Sequence, residues 1–215
     1  MIVTKNKLIF IDNPKCASTT MRNYYEQIRD DILFQSSLNI SQCKGLFHNP
    51  NYVHTNAAGI FKYLELTSGG SIDEFTCFTT IRNPYNRFLS HYNYFLKMNE
   101  QKHPIEDLSV EKFMDRTMTR ACFPENFRCF QDFKVTNLIK VENLNDDLNK
   151  FNQMYNIGFT ISGDKRLNSN KVRDKNFKFT TEIVNFIDKN YELDFVEGGY
   201  SKKSPKELNE QLSES

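Results

Sequence analysis

The sequence predicts an α/β fold with a central, mainly parallel sheet flanked by helices. Three observations predict it. Short runs rich in β-branched and aromatic residues, LIFID (8–12), FTCFTTI (75–81) and LIKV (138–141), read as buried strands. Each is followed by an apolar stripe at helical spacing. Strands and helices therefore alternate along the chain, as they do in a parallel α/β sheet.

In order, the strand at 8–12 runs into the polar loop Asn13-Pro14-Lys15-Cys16-Ala17-Ser18-Thr19-Thr20. Met21, Tyr24, Tyr25 and Ile28 then fall at i, i+3, i+4 and i+7 and predict a helix. Residues 31–53 are rich in Ser and Asn and read as mostly loop. Ala57, Ile60, Phe61 and Leu64 form a further helical stripe, ended by Gly69-Gly70. After the strand at 75–81, Asn83 is placed to cap a helix and Pro84 to occupy its first position. Tyr85, Phe88, Leu89, Tyr92, Phe95 and Leu96 supply its apolar face. Residues 99–108 read as a loop, and 109–119 as a helix capped by Ser109. The strand at 138–141 leads to a helix marked by Leu144, Leu148, Phe151 and Tyr155, with its cap near Asn145. A last helix is expected around 180–191, on Ile183, Phe186, Ile187 and Tyr191. From Ser201 the chain is polar without periodicity and reads as a flexible tail. The expected organisation is one domain over 1–200 and a tail over 201–215.

Composition narrows the function classes. The 215 residues include 19 Phe and 10 Tyr, enough to bury a core, which excludes global disorder. The net charge of +1 lacks the broad basic field of a generic nucleic-acid binder, while a local basic site stays compatible with it. No run approaches the 18 apolar residues of a membrane span, and the apolar N-terminal run is broken by Lys5, Asn6 and Lys7, unlike a signal peptide. Five cysteines without a C-x-x-C pair argue against a zinc site or disulfide framework and fit a reduced, cytoplasmic setting, with an isolated Cys122–Cys129 bridge as the open alternative.

The loop after the first strand is the first feature that carries chemistry. Ligands of parallel sheets bind beyond the carboxyl ends of the strands. A helix N-terminus there offers unpaired N–H groups and a positive partial charge. Lys15 adds a full charge, and Ser18, Thr19 and Thr20 add hydroxyls. Together they suit a phosphate or phosphosulfate. The plainer alternative is a loop lysine beside an ordinary serine cap. The nucleotide-triphosphatase motif G-x-x-x-x-G-K-[ST] is absent.

The second feature follows the second strand: Ile81-Arg82-Asn83-Pro84-Tyr85-Asn86-Arg87-Phe88-Leu89-Ser90. At helical spacing Arg82, Asn86 and Ser90 make one polar stripe beside the apolar face. An arginine fork with a hydroxyl suits a phosphate monoester. A solvated helix face is the alternative.

In this order the two segments resemble those of the sulfotransferases that use 3′-phosphoadenosine 5′-phosphosulfate (PAPS), and most of all the carbohydrate O-sulfotransferase branch, with its heparan 2-O and chondroitin enzymes and bacterial relatives. Residues 13–20 resemble the family's 5′-phosphosulfate loop, and Thr80 to Ser90 its 3′-phosphate motif. Val53-His54-Thr55-Asn56-Ala57-Ala58 resembles the H-x-x-A segment between them. Asn137-Leu138-Ile139-Lys140-Val141-Glu142-Asn143-Leu144 resembles the third-strand region ending in E-N-L. Leu167-Asn168-Ser169-Asn170-Lys171 resembles the L-N-x-[SN]-K loop, and Tyr191-Glu192-Leu193-Asp194-Phe195 with Tyr200 the C-terminal ending. The likeness covers roughly residues 7 to 201 and implies a P-loop-like, three-layer fold.

The resemblance also implies roles. Lys15 would hold the 5′-phosphosulfate, cradled by Ser18, Thr19, Thr20 and the backbone of Cys16 and Ala17. Arg82 and Ser90 would bind the 3′-phosphate, and Lys171 would close over the nucleotide. Cys16 departs from the small residues of many relatives and reads as a packed loop side chain rather than a nucleophile. His54 would be the catalytic base, since a neutral imidazole suits removal of a hydroxyl proton near neutral pH. A capping or surface histidine is the alternative, and His48, His91, His103, Glu65 and Asp73 are weaker candidates. No residue cluster suggests a metal, and none is needed. Phe47, Tyr52, Phe123 and Phe127 are placed to stack on a sugar or adenine, although aromatics at helical spacing are more often core. The basic run at 165–178 reads equally as solvated surface or as an attractor of anions.

The expected activity is direct transfer of a sulfuryl group from PAPS to a hydroxyl of a saccharide or glycolipid, releasing 3′-phosphoadenosine 5′-phosphate (PAP). One rival is a P-loop-like kinase, which would need a Walker Lys-Ser/Thr and a strand-end Asp for magnesium. Asp12 lies too near the loop for that role. The other rival is a catalytically idle nucleotide-binding module. The acceptor and oligomeric state are not legible in the sequence.

Overall fold

The structure is a computed structural model that describes residues 2–27, 32–35, 72–101, 108–118, 135–158 and 173–214. These divide into two compact units, one within 1–81 and 127–167, the other within 82–126 and 168–215.

The first unit holds five strands among the described residues: β1 (Ile2–Thr4), β2 (Leu8–Ile11), β3 (Ile32–Gln35), β4 (Thr76–Ile81) and β5 (Asn137–Lys140). Helix α1 (Ser18–Tyr25) follows β2. The sheet order is β3-β1-β2-β4-β5. β2 pairs parallel with β4, Phe10 opposite Phe78, and β4 pairs parallel with β5, Thr80 opposite Ile139. β1 is antiparallel to both β2 and β3, so β2, β3, β4 and β5 all point one way. The mainly parallel α/β sheet expected from the sequence is therefore present.

Two strands at the β3 end of the sheet, the edge strand β3 and its neighbour β1, escaped the sequence reading. β1 and β2 form a hairpin in which Lys7 takes a left-handed φ of 57° and its N–H reaches the Thr4 carbonyl at 3.2 Å. β3 lies inside a stretch read as mostly loop. β1 has only three residues, and the four of β3 are not followed by the helical stripe that marked β2, β4 and β5 in the sequence.

The alternation of β2 and β4 sorts their side chains. Leu8, Phe10 and Phe78, with Ile139 of β5, pack against Met21, Tyr24 and Tyr25 of α1 and against Leu148 and Phe151 of the helix after β5. Phe78 is the hub, with ring centroids 5.4 Å from Phe10 and 4.3 Å from Phe151. On the opposite face Ile9, Ile11, Cys77, Thr79 and Ile81 are buried too, as in sheets covered on both sides.

The second unit opens with α2 (Pro84–Gln101) and α3 (Val110–Met118). In the first unit α4 (Leu144–Met154) follows β5. The second then continues with α5 (Thr181–Asn190), α6 (Glu192–Gly198) and α7 (Pro205–Ser213). Its core gathers Tyr85, Phe88, Tyr92, Phe113, Phe179, Ile187, Tyr191 and Phe195.

Several boundaries match their chemistry. Asn83 caps α2, its Oδ1 accepting from the N–H groups of Tyr85 at 3.1 Å and Asn86 at 3.4 Å. Ser109 Oγ accepts from the Lys112 N–H at 3.3 Å, and Thr180 Oγ1 from the Ile183 N–H at 3.3 Å. Three expectations need correction. Helix α2 continues into the stretch read as a loop from residue 99, ending at Gln101. Helix α4 starts at Leu144 after Asn143, ahead of the expected cap, because a 3₁₀ turn at Val141–Asn143 already leads the chain from β5 into it. The expected flexible tail instead forms α7: Ser204 and Glu207 make a reciprocal capping box, Pro205 takes the first position, and Leu208 is buried. The expected helix stripe at 57–64 lies outside the described residues.

Candidate functional site

Among the described residues of the first unit, 12–22 form a candidate site. Lys15 and Ala17 both hold left-handed backbone, with φ 66° and 62°, and Cys16 between them does not. Left-handed backbone costs a non-glycine residue about 1–2 kcal/mol. Alternation of this kind turns successive N–H groups into a concavity that receives anions.

The loop is held by specific bonds. The Asn13 carbonyl accepts from the Cys16 N–H and from the Ser18 hydroxyl, each at 3.1 Å. The Asn13 amide donates to the Thr80 carbonyl at 3.1 Å, and the Thr80 hydroxyl donates to the Cys16 carbonyl. The end of β4 thus staples the loop that follows β2. Cys16 is fully buried and outside any disulfide, as the packed-side-chain reading expects.

Helix α1 begins at Ser18 with Ala17 as its cap, which makes no side-chain cap hydrogen bond. This contrasts with α2, α5 and α7, whose first turns are capped by Asn83, Thr180 and Ser204. An alanine cap leaves the early N–H groups of α1 to an external acceptor. The hydroxyls differ among themselves. The Ser18 proton is committed to Asn13, and Thr20 is buried. Thr19 is exposed, and its oxygen accepts from Arg22 at 3.4 Å, which leaves its proton to point elsewhere.

Asp12 follows the last residue of β2 and is 1% exposed. Its Oδ2 accepts from Arg22, one turn into α1, at 3.1 Å. The sequence reading gave Arg22, Asn13 and Thr80 no role. An arginine one turn beyond Ser18 at a strand-tip aspartate, and a threonine inside an apolar strand, are the signals that point to them.

In the second unit Arg82 is buried and precedes the Asn83 cap. It therefore stands before the helix rather than on it, and the expected stripe reduces on the helix itself to the half-buried Asn86 and Ser90. Arg87, on another face, donates to Asp194 of α6. His91 is buried with its ring edge-on to Phe113 at 5.2 Å, which is a packing role. Asp73 is exposed in a short 3₁₀ turn. His54, Lys171, His48, His103, Glu65, the basic run up to residue 172 and the Cys122–Cys129 pair lie outside the described residues.

Among the described residues no three His, Cys, Asp or Glu side chains gather as a metal site, and no helix is long and apolar enough to cross a membrane. Neither the curated proteins nor the solved structures contain a match to this chain. A family model described as the sulfotransferase family matches residues 1–201, which takes in the loop at 13–20, Arg82 and Ser90. The chain belongs to the sulfotransferase family.

Proposed function

We propose that this chain is an O-sulfotransferase that uses PAPS as donor and a hydroxyl of a saccharide or glycolipid as acceptor. The observation that carries the reading is the loop 13–17, whose paired left-handed residues lead into a helix with no side-chain cap. Such a loop suits a tetrahedral anion, and sulfuryl transfer between oxygens needs a site of that kind at the leaving group.

In this reading Lys15, the Ala17 N–H and the first turn of α1 with Ser18, Thr19 and Thr20 bind the 5′-phosphosulfate, while the Cys16 backbone, held by Asn13 and Thr80, shapes the loop around it. Ser18 ties the loop, while Thr19 offers its proton. The Lys15 ammonium stabilises charge on the departing phosphate. Arg82 and Ser90 bind the 3′-phosphate, and Lys171 assists at the nucleotide. His54 takes the acceptor proton as the hydroxyl oxygen attacks sulfur, so the S–O bond to the acceptor forms as that to the phosphate breaks, with no enzyme-bound ester. A cytoplasmic setting belongs to the same proposal.

Thermal shifts with PAP, ATP plus Mg²⁺ and GTP test it. PAP is expected to raise the melting temperature most. Lys15→Ala and Arg82→Ala are each expected to abolish that shift. His54→Ala is expected to keep it and lose transfer from labelled PAPS to desulfated glycans. A larger shift with ATP and Mg²⁺ overturns the assignment in favour of a kinase.

A further inference from the structure

The stretch 12–22 carries one carboxylate and two cations: Asp12, Lys15 and Arg22. Asp12 is an unfavourable neighbour for a loop that is to hold an anion. It is buried, and its backbone leads directly into Asn13, whose carbonyl anchors Cys16 and Ser18. Without Arg22 the formal charges of Asp12 and Lys15 sum to zero, and Asp12 offsets at longer range the attraction that the Lys15 ammonium and the loop dipoles exert on an anion.

Arg22 alters that balance by two contacts. One guanidinium nitrogen donates to Asp12 Oδ2 at 3.1 Å, the other to Thr19 Oγ1 at 3.4 Å. The planar fork thus spans the strand-tip carboxylate and the exposed hydroxyl of the first turn of α1. The Arg22 side chain is 22% exposed and that of Asp12 1%, so the pair is only partly screened by water.

We propose that Arg22 is a positioning residue that sets the anion affinity of the loop 13–20, neutralising Asp12 and orienting the Thr19 hydroxyl without itself touching the anion. This rests on the reading of that loop as the 5′-phosphosulfate cradle. A unit charge at roughly 10 Å, in a medium of effective dielectric about 20, changes the affinity for a unit anion by about tenfold. Loss of Arg22 is expected to have an effect of that size, and loss of Asp12 the opposite sign.

The test is a double-mutant cycle with Arg22→Met, Asp12→Asn and the double variant. Titration calorimetry reads the affinities of PAP and of inorganic pyrophosphate at two salt concentrations. Arg22→Met is expected to weaken both by about tenfold, with a shallower salt dependence. Asp12→Asn is expected to bind both at least as tightly as the unaltered chain, and the double variant to return within about threefold of it. A double variant as weak as Arg22→Met overturns the proposal, because Arg22 then contacts the anion directly. Arg22→Met with lowered stability but unaltered anion affinity also overturns it, since the pair is then structural alone. Should Arg22→Met fail to fold with its carboxylate stranded, the other two variants decide the matter: the double variant removes both charges, and Asp12→Asn leaves the part-exposed Arg22 an amide oxygen to bond. Asp12→Asn weaker than the unaltered chain is then the refuting result. If pyrophosphate follows the cycle and PAP does not bind, the inference stands and the donor assignment falls. If the unaltered chain binds neither, the inference falls.

Discussion

Arg87 and Asp194 form an ion pair whose side chains are only 3% and 2% exposed. The Arg87 guanidinium also lies over the Tyr191 ring, 5.7 Å from its centroid. The pair joins α2 to α6 inside the second unit. Burial pushes the Asp194 carboxyl up, and the charge and hydrogen bond of Arg87 pull it part of the way back. Removing one partner strands a buried charge. Arg87→Met or Asp194→Leu alone is expected to cost about 3–5 kcal/mol, and the two together to recover most of it. Urea midpoints of the three variants measure this.

The same carboxyl gives a pH dependence of definite sign. Its folded pKa lies above the ordinary carboxylate value, so across the interval between the two the folded state holds the extra proton. Stability contributed by this group is therefore complete below the ordinary value and falls as the pH rises through the interval. Asp194→Asn is expected to flatten that part of the stability-against-pH curve, read from urea midpoints at successive pH values.

Ala17 sits at φ 62° at the head of α1. Glycine adopts that backbone without the Cβ clash that alanine suffers there. Ala17→Gly is expected to stabilise the chain by about 1 kcal/mol in chemical denaturation. Ala17→Val is expected to destabilise it and weaken PAP binding. A destabilising glycine would contradict the left-handed cap.

Phe78 is fully buried and in ring contact with Phe10, Tyr25 and Phe151. Truncation opens a cavity between the sheet and α1 and α4. Phe78→Ala is expected to cost about 3–5 kcal/mol, measured by thermal or urea unfolding.

Helix α7 carries a prediction that a free tail would not. Leu208 is 4% exposed in the core of the second unit, and Asn209 exchanges hydrogen bonds with the Phe179 backbone at 2.8 and 2.9 Å. Leu208→Ala is expected to cost about 2–4 kcal/mol. The hydroxyl and backbone N–H of Ser204 hold the Glu207 carboxyl below its ordinary range. The cap therefore contributes above the ordinary glutamate pKa and is lost as the pH falls through the lowered one. Amide exchange at Ser204 and Glu207 is expected to quicken over that acid interval.

Legibility followed the range of the interactions. LIFI and FTCFTTI announce strands because they are apolar or β-branched throughout, and Asn83-Pro84 announces a helix start because cap and first residue are neighbours. The loop at 13–20 is legible as a candidate anion site because its lysine and hydroxyls lie close together in the chain and follow a strand. The capping box at Ser204 and Glu207 was equally local, yet the helix behind it shows little apolar stripe, since Leu208 is its one fully buried residue. The weak periodicity of that helix hid it.

Long-range contacts had no such local signature. That Thr80 grips the Cys16 carbonyl 64 residues away, or that Arg87 reaches Asp194 across 107, depends on which strands and helices become neighbours. The left-handed turns of Lys15 and Ala17 are of the same kind, since neither residue prefers that backbone and the staples from Asn13, Ser18 and Thr80 help to hold it there. The order of residues was enough for the α/β class and the place of the loop, both of which rest on propensity and adjacency. The shape of the loop and the pairing of its charges came from folding, because strain and buried ion pairs persist only where the surrounding packing compels them.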